Sequence, residues 1–268
     1  MKYITAHFVL TLFLAVPPAT AKVPADAAFQ KLNETKWQVV FEDSCTQDWR
    51  KHWTLDGEMA TIKHSDKGMD FRAGPTWKDD ASHAVLWIKE SFKGDIKIDY
   101  EYTRTDEADR AVTIFYVQAT GSGRPPYARD IAEWAHLRRI PSMPAYWGNM
   151  NAYHISYAAF GASKDDPQAD YIRARRYLPG PNASLRGTEL KPDYFEAGLF
   201  DTNVPHNITV IKAGDELYMR IRNQDRTVLC HWKNNSRPIT EGRIGLRHMY
   251  TRAARYRDSR VYKLDSSK

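Results

Sequence analysis

The sequence predicts an all-β protein, a jelly-roll sandwich of two antiparallel sheets with little helix. Three observations carry this. Short apolar, β-branched and aromatic runs recur along the chain, separated by turn residues. Some alternate strictly between apolar and polar side chains, the period-2 pattern of a half-buried strand. No βαβ alternation, internal repeat or low-complexity tract interrupts them, which leaves a sandwich or jelly roll. At 42% hydrophobic residues, a real core is affordable and wholesale disorder is excluded.

The first residues read as an export signal. Lys2 gives a basic start, Phe8–Val16 an apolar stretch, and Ala19-Thr-Ala21 a small-x-small cleavage site. A signal peptide over residues 1–21 is expected, with one jelly-roll domain over 22–268 exported to the periplasm or secreted. The apolar run is too short to span a bilayer.

Residues 22–36 read as a lead-in. Trp37–Phe41 is the first strand, and Trp49 and Trp53 follow in a loop. Ala60–His64 and Gly68–Arg72 form a hairpin around Ser65-Asp66-Lys67, and Ala84–Ile88 comes next. In Gly94–Thr103, Ile96, Ile98, Tyr100 and Tyr102 share one face, while Lys97, Asp99, Glu101 and Thr103 share the other. Ala111–Ala119 is apolar on both faces, as a central strand would be.

Residues 120–150 break this rhythm with Gly, Pro and Ser, and long ordered loops tend to be functional. Ile131–Arg138 suits a short helix. Tyr153–Phe160 and Tyr171–Tyr177 resume the strand pattern, and 183–205 reads as irregular. His206–Lys212, Glu216–Asn223 and Thr227–Lys233 are strands joined by turns at Ala213-Gly-Asp and Asn223-Gln-Asp. Gly242–Met249 and Arg260–Leu264 close the fold. Cys45 near the first strand and Cys230 on a late one suit either a disulfide or two buried thiols.

The net charge of +6 favours anionic partners. Without a long Lys/Arg run or a nucleic-acid module, nucleic acid is not the expected partner. A monomer is expected.

Several motifs resemble one known family. They are Phe41-Glu-Asp-Ser44, Gly94–Tyr102 (GDIKIDYEY), Asn151–Tyr157 (NAYHISY), His206–Gly214 (HNITVIKAG), Gly242–Met249 (GRIGLRHM) and Arg260–Leu264 (RVYKL). In this order they resemble the concanavalin A-like jelly rolls, and more narrowly the YesU-like family, a domain of unknown function. The resemblance covers nearly the whole mature chain. It implies a concave, glycan-facing groove and, by the pectin-utilisation genes beside that family, a place in polysaccharide degradation. Fold alone does not set the chemistry.

Strand parity gathers the candidate chemistry. His154 and Ser156 face away from Tyr153, Ile155 and Tyr157. Arg173, Arg175 and Tyr177 share a face opposite Ile172 and Ala174, and Arg247 lies opposite Ile244 and Leu246. Together they suit β-elimination on a uronate glycan. Arg173 and Arg175 would neutralise the carboxylate, His154 would act as base and Tyr177 as acid. The bland alternative is an Arg-rich solvated face. Asp99 and Glu101, two apart on one strand face, suit a glycoside hydrolase. The E-x-D-x-x-E signature of related jelly-roll hydrolases is absent, because Lys97 interrupts it. A non-catalytic glycan-binding module is the third reading.

In the long loop, Trp134, His136, Trp147, Asn149 and Asn151 suit sugar stacking and hydroxyl recognition, with Arg247, Asp99 and Glu101 as further substrate contacts. Trp147 could equally plug the end of the sandwich. No cofactor is required by these schemes. Glu42, Asp43 and Asp258 offer oxygens to a structural Ca2+. The expected partner is an acidic oligo- or polysaccharide.

Overall fold

A computed structural model describes residues 22–161 and 170–264; the expected signal peptide, residues 1–21, lies outside the described residues. In chain order the elements are helix α1 (Lys22–Asn33), then β1 (Trp37–Asp43), β2 (Trp53–Asp56), β3 (Thr61–Ser65), β4 (Gly68–Arg72), β5 (Ala84–Ile88), β6 (Phe92–Lys93), β7 (Ile96–Arg104) and β8 (Thr113–Gly121). After 3-10 turns at Ile131–Arg138 and the short helix α2 (Met143–Trp147) come β9 (Met150–Ala158), β10 (Tyr171–Tyr177), β11 (Glu189–Phe195) and β12 (Pro205–Ala213). The chain ends in β13 (Glu216–Arg222), β14 (Thr227–Lys233), β15 (Glu241–His248) and β16 (Ala253–Leu264).

Two antiparallel sheets form the expected sandwich. The first runs β14-β13-β12-β7-β16-β4-β3, with β1 also on β16; the second runs β11-β10-β9-β8-β15-β5-β2, with β6 on β15. Period-2 alternation decides what lies between them. Ile96, Ile98, Tyr100 and Tyr102 of β7 are buried in the main core against Phe115, Val117, Ile155 and Leu246 of the second sheet. Interior aromatics meet both ways: Tyr102 lies edge to face with Tyr157 at 5.4 Å, and Tyr100 stacks on Phe115 at 5.0 Å.

The lead-in forms a helix, α1. Its Phe29 packs on Ile211 and Tyr218 over the outer face of the first sheet. Trp53 begins an edge strand, and the stretch read as irregular holds β11, whose Pro192 is tolerated because β11 ends its sheet. Outside the second sheet lies another apolar cluster, in which Trp134 and Tyr146 cover Val85, Trp87, Ile114 and Tyr116. The segment 122–149 is therefore a packed cap. Trp87, Tyr116 and Tyr146 stack beneath it, with centroids 5.3 Å and 5.9 Å apart. Gly245 makes room for this stack, since a Cβ there would stand 2.5 Å from the Trp87 ring.

Cys45 and Cys230 are two separate buried thiols. Between β1, which precedes Cys45, and β14, which carries Cys230, stand β16, β7, β12 and β13. At about 4.8 Å per strand this is roughly 24 Å, far beyond disulfide reach. Burial, with Asp43 beside it, pushes the Cys45 thiol up to about 12. Neither thiol should react with a thiol reagent in the native protein, and both should react on unfolding without prior reductant. Native labelling, or extra thiols after reduction, would contradict this.

Candidate functional site

The outer face of the second sheet collects the residues that parity aligned. Cross-strand register sets Arg175 opposite His154 and His154 opposite Tyr116, with Arg173 opposite Ser156. His154 Nδ1 and the Tyr177 hydroxyl share a short hydrogen bond. Burial, reinforced by the Arg175 and Arg247 guanidiniums, holds the His154 pKa well below the usual histidine range, so the ring is neutral. Its Nε2 has no partner. Burial also drives the Tyr177 phenol well above its ordinary value.

This pair is closed over. His154 is 4% exposed and Tyr177 fully buried. The neighbouring guanidiniums are all engaged, those of Arg173 and Arg175 by acids and that of Arg247 by a backbone carbonyl. Arg173 pairs with Asp193 at 3.1 Å and lies over the Tyr171 ring at 4.7 Å. Arg175 donates to Glu189 Oε1 at 2.6 Å and to the Leu185 carbonyl at 2.8 Å. Arg247 is fully buried beneath the cap, donating to the Pro141 carbonyl at 2.6 Å and lying over the Tyr146 ring at 4.4 Å. The five residues thus share one face, but the segments 122–149 and 178–188 cover it.

The other candidates disperse. Asp99 and Glu101 lie on β7 of the first sheet, away from His154. Asp99 accepts from the Thr209 hydroxyl at 2.7 Å and pairs with Lys97 at 3.7 Å. Trp134 is buried inside the cap, its Nε1 donating to the Ala128 carbonyl at 3.0 Å. His136 is exposed on the cap, and Trp147 is half-buried against the second apolar cluster. The Ca2+ expectation needs correction. Glu42 pairs with Arg260 at 2.7 Å and Asp258 with Arg257 at 3.2 Å, while the Asp43 carboxylate receives the Cys45 amide and the Trp53 indole. Among the described residues no group of three or more His, Cys, Asp or Glu is gathered for a metal ion.

Asn149 and Asn151 do reach a groove, at the end of the second sheet where β8, β9 and β10 meet the lead into β15. It consists of two cavities of about 210 Å³ each that share Ser122 and Pro179. One is polar, lined by Thr120, Asn151, Arg129, Arg176, Arg237 and Glu241 among others. The second is lined by Arg124, Pro125, Tyr127, Gly148, Asn149 and the Pro179-Gly180-Pro181 turn. Asn151 is oriented on both sides: its Nδ2 donates to Thr120 Oγ1 at 3.2 Å, and its Oδ1 accepts from Arg176 Nη2 at 2.6 Å. Arg129 pairs with Glu241 at 2.5 Å.

Arg176 is the residue that reading by parity passed over, although parity contains its signal. The inward face of β10 reads Ile172, Ala174 and then Arg176, a charge in a core register. It is 5% exposed at the open end of the sandwich, with its guanidinium 5.5 Å from the Tyr153 ring.

Comparison with known proteins agrees with the architecture. A Bacillus subtilis protein of unknown function with a galectin-like fold superposes with a TM-score of 0.58 at 19% identity, over 85% of this chain and 98% of that one. The exoplasmic/lumenal domain of VIP36, in a Ca2+/Man3GlcNAc-bound form, gives 0.55 at 10% identity over 87% and 92%. The Emp46p carbohydrate recognition domain gives 0.53 at 12% identity over 85% and 98%. At these identities the likeness is one of fold. None of the curated proteins matches in sequence. A family model described as a domain of unknown function, DUF1961, matches residues 41–261, and the chain belongs to that family.

Proposed function

We propose that this is an exported carbohydrate-active protein, acting as a monomer, that binds an acidic oligo- or polysaccharide in the rim groove. The groove carries this reading. A polar cavity with three arginines against one glutamate adjoins one lined by Tyr127 and a Pro-Gly-Pro turn. Guanidiniums suit sugar acids, asparagine amides suit hydroxyls, and a flat aromatic suits a pyranose face. The VIP36 domain, of like fold, has a form described as Man3GlcNAc-bound, which supports sugar as the ligand class. The motif Asn151–Tyr157 supports a narrower place near the YesU-like proteins, and with it polysaccharide degradation.

Calorimetric titration with oligogalacturonate, oligoglucuronate, oligoalginate and a neutral control tests this reading. One acidic series should bind, and Arg237→Ala and Tyr127→Ala should each weaken it about tenfold, the scale of one lost charge-assisted or stacking contact. Binding that ignores both substitutions sinks the groove assignment.

Elimination stands second, on one observation: a neutral His154 hydrogen-bonded to Tyr177 with its other nitrogen unpartnered. That is a base beside an acid, and turnover would require the covering segments to move. New ultraviolet absorbance from an unsaturated uronate product, abolished in His154→Ala, is its signature. Reducing ends released without that absorbance would favour hydrolysis instead, for which Asp99 and Glu101 are the residues to replace.

A further inference from the structure

Several buried charges among the described residues are matched by an opposite one. Asp106 takes Arg104 and Arg252, Asp56 takes Arg138, and Asp95 takes Lys212. Arg176 is not matched. Its Nη1 donates to the Tyr177 carbonyl, and its Nη2 to Asn151 Oδ1 and, at 3.2 Å, to the Arg237 carbonyl. Its Nε has no partner. Among the described residues no carboxylate makes an ion pair with it. Arg247 also lacks an acid, but it is sealed under the cap, whereas Arg176 lines a cavity.

A buried cation held only by neutral acceptors is disfavoured relative to a paired one. Burial accordingly lowers the Arg176 pKa from its ordinary value. The other charges of the cavity do not relieve it. Glu241 is engaged by Arg129 at 2.5 Å and Lys93 at 3.7 Å, and Arg237 adds a further positive side chain. Uncompensated charge in a cleft is a mark of a functional site. Here the group that would compensate it is a single anion presented from the cavity.

We propose that Arg176 is the specificity-determining residue of the groove and the seat of an un-esterified sugar carboxylate, with the sugar ring lying in the adjoining cavity against Tyr127. The inference rests on the groove being the glycan site and adds what the groove selects. Asn151, fixed by Thr120, holds the guanidinium in place as a positioning residue. Esterifying or reducing the carboxyl removes the charge that Arg176 needs, so the site discriminates acid from ester rather than one ring from another.

The test compares three probes on the full chain: a galacturonate trisaccharide, its methyl ester and its carboxyl-reduced form. Wild type should bind the acid at least about tenfold more tightly than either neutral form, as the loss of a charge-assisted hydrogen bond implies. Arg176→Gln should bring that ratio close to one. Arg176→Lys should retain part of the ratio. Removing an uncompensated buried charge should also leave Tm unchanged or higher in Arg176→Gln, whereas a purely structural arginine would lower it. Should the variants not fold, the wild-type ratio and its loss as pH falls through the probe's carboxyl pKa still decide. Equal binding of acid and ester overturns the Arg176 assignment but leaves the groove reading standing. Tighter binding of a sulfated trisaccharide than of the uronate also overturns it. Failure of all three probes, and of the wider acidic panel, overturns the groove reading itself.

Discussion

Arg138→Met should lower the unfolding free energy by about 3–5 kcal/mol, because it strands a buried carboxylate. Asp56, at the end of β2, accepts Arg138 Nε at 2.6 Å and Nη2 at 3.3 Å, the Trp87 indole at 2.7 Å and the Tyr146 hydroxyl at 2.9 Å. Both charged side chains are almost fully buried, and the Arg138 guanidinium also lies 4.2 Å from the centre of the Trp134 ring. One carboxylate thus ties the cap to two strands of the second sheet. Losing the arginine leaves it two neutral donors for one full charge. In a protein of this size the Tm should drop by roughly 6–20 °C. Thermal unfolding followed by circular dichroism measures this. Asp56→Asn combined with Arg138→Met should cost less than the two single changes summed, since the double variant buries no lone charge. An unchanged Tm in Arg138→Met would mean that the cap is not held through this pair. The same variant should weaken glycan binding, because the cap carries Tyr127 and Arg129 into the groove.

Acid should destabilise the protein well above the pH at which carboxylates titrate. Burial and the Arg247 guanidinium push His83 down to about 3. Burial, with Arg252 nearby, does the same to His248. His154 is also held well below the usual range. In the unfolded chain these rings titrate near pH 6.5. Between about 6.5 and 3 the unfolded state therefore binds protons that the folded state refuses, so stability falls as pH falls. Each ring contributes about 1.4 kcal/mol per pH unit in that window. Three rings together remove on the order of 5 kcal/mol between pH 7 and pH 5. Urea unfolding at a series of pH values should show this slope, and His83→Gln should reduce it. A flat profile from pH 7 to 5 would mean that these rings take up protons without unfolding the chain.

Much of the sandwich was legible because strand periodicity is local. The alternation in Ile96-Lys97-Ile98-Asp99-Tyr100 needs only neighbouring residues to declare an inside and an outside. The same parity aligned His154, Arg173, Arg175, Tyr177 and Arg247 on one surface. What covers that surface was not legible. The segment 122–149 has no repeating pattern, since Trp134 and Tyr146 are buried one by one against strands from elsewhere in the chain. Helix α1 escaped notice because, among its described side chains, Phe29 alone is deeply buried, and no apolar stripe marks it. The acids Glu42, Asp43 and Asp258 are brought near one another by the pairing of β1 with β16, yet their carboxylates bond elsewhere.

The order of residues was enough to determine a two-sheet jelly roll and its inward and outward faces. Tertiary structure decided which outward residues meet solvent and which are capped: it covers the His154 face and leaves a groove open at the rim, lined by Arg129, Asn149 and Asn151. The reason is physical. Parity is set by the chirality and pleat of a single strand, whereas exposure is set by whichever distant segment buries its own apolar side chains on that strand.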